Sequence, residues 1–188
     1  MSEQNIIDVA AELQTPTVTG VAAGRAALLR LMPAAQNSKG IALLDFAGVE
    51  LMTASAFREA ILPLIAFLTQ DSRVCILVNA NEVIREEAVI AAERIGQPLL
   101  FADKVGAGLE RPTVMGKLDD KLTIALDIVL THGEVDAKQV SEKSLEGTVT
   151  TVWNNRLVAL HKMGLLRERK AGKTKFYSPV VEGMCRGN

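Results

Sequence analysis

The sequence predicts an α/β fold in two parts: an N-terminal α/β domain with a mixed sheet, then a smaller domain of helices followed by a β-hairpin. In the first hundred residues, amphipathic segments alternate with short apolar runs, which is typical of helices between buried strands. A stretch rich in Gly, with one Pro, then interrupts the pattern. After it, the hydrophobic period becomes helical and ends in a basic segment with a Gly bend.

Hydrophobic period and turn residues locate the individual elements. Strands are expected at residues 5–13, 41–46, 73–78 and 99–102. Helices are expected at residues 20–31, 56–69, 82–95 and 119–131, with Pro33 ending the first of them. The predicted boundaries are 1–104 for the α/β domain, 105–117 for a linker, 118–182 for the second domain and 183–188 for a tail.

The second domain contains a well-marked helix start. Asp136 is a capping residue, Gln139 follows three positions later, and Val135 and Val140 have the spacing of a hydrophobic staple. Gly147 supplies a turn before a longer helix, expected at residues 148–163.

This longer helix has two different sides at 100° per residue. The apolar side carries Val149, Val152, Trp153, Leu157, Leu160 and Met163. The opposite side carries Thr150, Thr151, Asn154, Asn155, Val158, His161 and Lys162. Arg156 projects toward the apolar side, so it is expected to snorkel or to form an ion pair rather than to contact a base.

The following segment is strongly basic. Between Arg156 and Lys175 there are seven basic residues and one acid, Glu168, a local charge of +6 in a chain of net charge −1. Residues 1–116 carry a net charge of −4 and residues 117–188 a net charge of +3. For the basic residues alone, a solvated surface and a DNA-binding surface are equally good explanations. The order of helix, turn, polar-faced helix and basic hairpin favours DNA binding.

Residues 119–179 resemble the winged helix-turn-helix domain of bacterial transcription regulators. The segments that carry the resemblance are LVALHKMGLL (residues 157–166) and KTKFY (residues 173–177). The resemblance implies that the longer helix enters the major groove of double-stranded DNA and that the hairpin, or wing, lies along the backbone.

The segments ALLDFAGV (residues 42–49) and TASAFRE (residues 53–59) carry a second resemblance, to the STAS-like domain related to anti-sigma-factor antagonists. The similarity extends over residues 20–103. In the antagonists, a serine or threonine at the start of this helix is phosphorylated by a histidine-kinase-like ATPase. Ser55 matches that position, with Thr53 beside it; the family's acid, two serines and glycine are replaced here by Thr53-Ala54-Ser55-Ala56.

Other interpretations of these N-terminal residues follow from the residues themselves. In the first interpretation, Ser55 or Thr53 is simply the N-cap of the helix. In the second, Ser55 carries a phosphate, which the helix N-terminus stabilises. Asp45 ends a buried strand, where it either accepts loop N–H groups or takes part in chemistry. Gly20 and Gly24 open a helix, and their spacing indicates close helix packing more often than anion binding.

Composition and motifs argue against several functional classes, although they do not exclude an enzyme. No catalytic motif or metal-ligand spacing is found: the two histidines, His132 and His161, have no Cys or Glu partner at such a spacing, so no catalytic residue, metal or cofactor is expected. No apolar run is long enough to cross a membrane. The start of the chain lacks a basic leader region, and two isolated cysteines suggest a reducing cytoplasm.

The leading hypothesis is a DNA-binding transcriptional regulator that acts as a homodimer, in which the STAS-like domain mediates dimerisation or control by a partner or ligand. The residues expected to contact DNA are Thr148, Thr150, Thr151, Asn154, Asn155, Val158, Lys162, Arg169, Lys170, Lys173 and Lys175. A phospho-switched interaction module that works with a histidine-kinase-like ATPase is the alternative, and an enzyme using Asp45 and Ser55 is a third.

Overall fold

The computed structural model describes residues 4–70, 73–144 and 146–187. Residues 1–3 of the predicted first domain and Asn188 of the predicted tail lie outside this range. The strands are β1 Gln4–Asp8, β2 Thr17–Val18, β3 Ile41–Asp45, β4 Leu51–Met52, β5 Val74–Val78, β6 Leu99–Val105, β7 Gly108–Met115, β8 Val135–Asp136, β9 Leu166–Ala171, β10 Thr174–Pro179 and β11 Cys185–Arg186. The helices are α1 Val9–Leu13, α2 Gly20–Asn37, α3 Ala54–Gln70, α4 Glu82–Glu93, α5 Asp120–His132, α6 Ala137–Lys143 and α7 Thr150–Lys162.

The larger sheet has the strand order β1-β3-β5-β6-β7-β11. β1, β3, β5 and β6 run parallel, whereas β7 is antiparallel to β6 and β11 is parallel to β7. The α/β class with a mixed sheet, predicted from the alternation of apolar runs and amphipathic segments, is therefore confirmed.

The central strands β3, β5 and β6 are buried on both faces, and alternate residues of these strands point to opposite sides of the sheet. Leu44, Leu77 and Phe101 belong to a core that also contains residues of α2, α3 and α4. Their neighbours, such as Leu43 and Ile76, belong to a second core on the opposite face.

The second core joins the sheet to the C-terminal part of the chain. Besides the sheet residues, it contains Leu126 of α5, Trp153 and Leu160 of α7, and Tyr177 of β10. At its margin, Gly164 lies so close to Thr69 that a Cβ there would be 3.2 Å from the threonine methyl group. The two parts of the chain thus share one continuous apolar core.

The prediction of a linker at residues 105–117 is wrong. Most of it forms β7, which pairs with β6 over Leu99↔Met115 to Val105↔Gly108. Gly106 has a φ of 58° and lies in the turn between these strands, where a glycine is favoured. The predicted tail is also part of the fold, because β11 pairs with β7 and Arg186 forms an ion pair with Asp127 of α5 at 2.7 Å.

Two boundary predictions in the N-terminal half are wrong. The expected strand at residues 5–13 ends at Asp8, whose Oδ1 accepts the Ala11 N–H at 2.9 Å and starts α1. Pro33 does not end α2, which continues to Asn37. Leu29 and Pro33 both lie at exposed positions, so the loss of the Pro33 hydrogen bond falls on the solvent side of the helix, while Ala35 in the extra turn is buried.

The C-terminal part has the order α5, β8, α6, α7, β9, β10, with β8, β10 and β9 adjacent in a small antiparallel sheet. The predicted helix pair and hairpin are therefore present. None of the helices in the described ranges combines the length and apolar character that crossing a membrane requires.

Candidate nucleic-acid interface

The start of α6 is fixed by reciprocal hydrogen bonds, as predicted. Asp136 Oδ1 accepts the backbone N–H of Gln139 at 2.8 Å, and Gln139 Oε1 accepts the backbone N–H of Asp136 at 2.9 Å. Val135 and Val140, predicted as the hydrophobic staple, are both buried in the second core. This capping box fixes where α6 begins and therefore the direction from which the chain enters the turn before α7.

The turn between α6 and α7 is held from both sides. Ser141 Oγ donates to the carbonyl oxygen of Thr148 at 2.9 Å. From within α7, Arg156 donates to Glu146 Oε2 at 2.6 Å and stacks over the Trp153 ring with its guanidinium carbon 4.3 Å from the centroid. Arg156 is buried and paired, which confirms the expected ion pair. Its role is to hold α7 against the turn.

The exposed side of α7 carries most of the polar residues predicted to contact DNA. Thr150, Thr151, Asn155 and Lys162 are exposed, and Asn154 is half-buried. These side chains share a helix whose other side is buried in the core. Hydroxyl, amide and ammonium groups of these types can hydrogen-bond to phosphates and base edges.

Two predicted residues are engaged elsewhere in the protein. Val158 is half-buried and packs against the second core, so only part of its side chain faces solvent. Thr148 is also half-buried, and its hydroxyl donates to the Glu146 carboxylate at 3.4 Å.

Val149 lies outside the apolar side to which the helical period assigned it. It is the N-cap of α7, and the residue is 67% exposed. The helical wheel fails here because the N-cap has an extended backbone, with φ −67° and ψ 148°, and does not follow the helical rotation.

Two lysines, Lys170 and Lys173, mark the tip of the hairpin formed by β9 and β10. Both are exposed and flank the turn at Gly172, which has a φ of 61°. Neither lysine has an ion-pair partner within the described residues. The hairpin tip therefore presents two positive charges to solvent.

The other two basic residues predicted in the hairpin are already paired. Arg169 forms a bidentate ion pair with Glu134, at 2.9 and 2.6 Å, and stacks on Phe176. The hydrogen bond from Arg169 lowers the pKa of Glu134 below its usual range. Lys175 donates to Glu168 at 2.9 Å. Contacts of Arg169 or Lys175 with DNA require these pairs to be shared or exchanged.

Glu168 lies at the centre of a small polar cluster at the base of the hairpin. Tyr177 donates to the same carboxylate oxygen as Lys175, at 3.1 Å. Burial raises the pKa of Glu168, but the hydrogen bonds from Lys175 and Tyr177 contribute to a larger opposite effect. The pKa of Glu168 therefore lies below its usual range. Burial and the bond to Glu168 raise the pKa of Tyr177.

His161 connects α7 to the hairpin instead of facing solvent freely. Its Nδ1 donates to the carbonyl oxygen of Leu166 at 2.8 Å, and its ring meets Tyr177 edge-on at 6.4 Å. It also borders a cleft of about 260 Å³ between the large sheet and the base of the hairpin, with Ile41 and Val74 on the opposite side.

At the start of α3, the predicted phospho-switch residues occupy a helix N-terminus that already has an acidic partner. The Glu87 carboxylate of α4 accepts the Ala54 N–H. Thr53 Oγ1 accepts the Gly20 N–H at 3.1 Å and lies 3.1 Å from Ser55 Oγ. A phosphate on Ser55 would have to compete with Glu87 for the same positive end of the helix.

Asp45 has a structural role at the end of β3. Its Oδ1 accepts the Ala47 N–H at 3.0 Å and an amide N–H of Asn79 at 2.9 Å. Asn79 Oδ1 in turn accepts the Lys104 N–H at 2.9 Å. These bonds tie together the ends of three neighbouring strands, in agreement with the interpretation of Asp45 as an acceptor of loop N–H groups.

Gly24 lies where α2 packs closely against α3. A Cβ at this position would lie 2.6 Å from the carbonyl oxygen of Ala56, so α2 and α3 approach closely there. Close helix packing, the more frequent meaning of the Gly20 and Gly24 spacing, is confirmed for Gly24.

A scan against models of known protein families gives no match for this chain, and no curated protein matches it either.

Proposed function

We propose that the protein is a DNA-binding transcriptional regulator, with a winged helix-turn-helix domain at its C-terminus and a STAS-like domain before it. The observation that carries the proposal is the exposed polar side of α7 next to a hairpin whose tip bears Lys170 and Lys173. The order of α5, β8, α6, α7, β9 and β10 is the order of elements that the winged-helix resemblance implies.

In this proposal α7 is the recognition helix. Thr151, Asn154 and Asn155 supply hydrogen bonds to base edges, and an asparagine amide suits the N6 and N7 atoms of adenine. The N-cap of α7 makes no side-chain capping bond, which leaves first-turn N–H groups available to a phosphate oxygen. The pair between the buried Arg156 and the partly exposed Glu146 keeps the helix in a fixed position for this purpose.

The wing and its surroundings supply contacts with the DNA backbone. Lys170 and Lys173 at the hairpin tip and Lys162 at the end of α7 are exposed and reach phosphates without rearrangement. Thr150 adds a hydroxyl contact, and Thr148 adds one after its hydroxyl exchanges Glu146 for a phosphate oxygen. Arg169 and Lys175 contribute after exchanging Glu134 and Glu168 for phosphate oxygens.

The STAS-like domain supplies control. In this proposal, a change in the large sheet reaches α7 through side chains of the shared core, such as Ile76, Trp153 and Leu160. One winged helix contacts few base pairs, so the protein acts as a homodimer on an inverted repeat. The alternative role, a phospho-switched module for a histidine-kinase-like ATPase, is less well supported, because Glu87 already occupies the helix N-terminus at Ser55.

The proposal is tested by selecting duplexes from a random-sequence library with the full chain. Enrichment of an inverted repeat is expected, and Asn155→Ala is expected to lose discrimination at one base pair per half-site, at a cost of about 1–3 kcal/mol. Asn37→Ala, at an exposed position at the end of α2, is the matched control and retains discrimination. A library that shows no enriched sequence would contradict the proposal.

A further inference from the structure

Val149 is unusual in both its chemistry and its position. It occupies the N-cap of α7, where Ser, Thr, Asp and Asn are preferred and valine is among the poorest residues. The residue is 67% exposed, so it contributes little to the core. A valine that neither caps the helix nor packs in the interior stabilises the folded chain very little.

The surroundings of Val149 connect it with the polar surface of α7. Thr150 and Thr151, the next two residues, are also exposed. Over the described residues from 118 to 187, the exposed large apolar side chains are Val149 and Ile124, and Ile124 lies on α5. Val149 is therefore the apolar group that α7 presents at the end where its polar side chains begin.

We propose that Val149 determines specificity by contacting the C5-methyl group of a thymine in the major groove, an inference that rests on the proposed DNA-binding function. The major groove displays this methyl group only at A·T pairs, and an aliphatic side chain is a suitable partner for it. Val158, the valine expected from the sequence to contact DNA, is half-buried against the core, whereas Val149 is 67% exposed and is the more accessible of the two.

The test removes the C5-methyl group on the DNA side of the contact and the two γ-methyl groups of Val149 on the protein side. Each thymine of a selected duplex is replaced in turn by deoxyuridine, which lacks only the C5-methyl group. For the wild-type chain, one replacement per half-site is expected to weaken binding about fourfold, the effect of losing one buried methyl group of about 0.8 kcal/mol. Val149→Ala is expected to bind the thymine and deoxyuridine duplexes equally, and more weakly than the wild type binds the thymine duplex.

Ile124→Ala is the matched control, because it shortens an exposed aliphatic side chain outside α7 and its preceding turn. It is expected to retain the wild-type response to deoxyuridine. Since Val149 is exposed, its alanine variant folds normally, as a thermal melt checks. DNA binding in which Val149→Ala keeps the wild-type response to deoxyuridine overturns this assignment alone. Absence of sequence-specific binding by the wild-type chain overturns the proposed function as well.

Discussion

Replacing Glu146 by glutamine tests the contact that holds α7 in place. The change removes the negative charge that faces Arg156 at 2.6 Å but keeps the length of the side chain. The Arg156 side chain is only 10% exposed and stacks on the buried Trp153 ring, so its positive charge stays in a poorly hydrated site without its ionic partner.

The expected loss of stability lies between two limits. Breaking a fully buried ion pair by removing one partner costs about 3–5 kcal/mol, whereas an exposed pair is worth about 0–1 kcal/mol. The Glu146 side chain is 30% exposed, so water partly screens the pair and the loss is about 2 kcal/mol. For a chain of this length, that corresponds to a fall of about 4–8 °C in Tm.

The free energy of unfolding is measured by urea titration, and Tm by circular dichroism. Glu142→Gln is the matched control, because it breaks the pair that Glu142 forms with Lys138 at 3.9 Å between two exposed side chains. This control is expected to lose less than about 0.5 kcal/mol. Equal losses in the two variants would refute the view that Arg156 depends on Glu146.

Three further predictions concern the shared core, the start of α3 and the Glu168 cluster. Calorimetry is expected to show one unfolding transition, since the second core joins both parts of the chain; two well-separated transitions would contradict this. Glu87→Ala removes the acceptor of the Ala54 N–H and should lower the free energy of unfolding by about 1 kcal/mol in urea titration. The control Glu86→Ala, at an exposed position of the same helix, should lower it much less. Similar losses in the two variants would count against a capping role for Glu87. The pKa of Glu168 is lowered by folding, so its contribution is present above the unfolded pKa of about 4.3 and is lost as pH falls through the lower folded value. Glu168→Gln should therefore be less stable than wild type at pH 7 by about 1 kcal/mol and should approach it in strong acid; a constant difference across the pH range would exclude this explanation.

Local signals in the sequence predict much of the fold. The capping box at Asp136 and Gln139, the apolar runs of β3 and β5 and the hairpin around Gly172 each depend on neighbouring residues, and each prediction agrees with the structure. The errors arise where distant contacts decide the conformation.

The strand β7 is the clearest of these errors. Its sequence contains Gly108 and Pro112, which are typical of loops, but pairing with β6 and burial of Val114 make it a strand. In the same way, packing of Ala35 extends α2 beyond Pro33. Neither partner can be identified from the local sequence, because both contacts are formed by the tertiary structure.

For the candidate interface as well, the sequence predicts some features correctly and misses others. Hydrophobic period correctly separates Asn155 and Lys162 from Trp153 and Leu157. It misplaces Val149, because an N-cap does not follow the helical rotation. It also does not reveal that Glu146 pairs with Arg156, although an acid in a turn close to a buried arginine is a signal that suggests such a pair.

The central claim, that α7 and the wing bind DNA, is tested most directly by the salt dependence of affinity for a labelled duplex. The logarithm of the binding constant should fall linearly with the logarithm of salt concentration. Combining Lys170→Gln and Lys173→Gln should flatten the slope by about 1.8, or about 0.9 for each lost phosphate contact. The control pair Lys39→Gln and Arg94→Gln, at exposed positions of the N-terminal part, should leave the slope unchanged. No binding at low salt, or equal slopes in the two double variants, would contradict the claim.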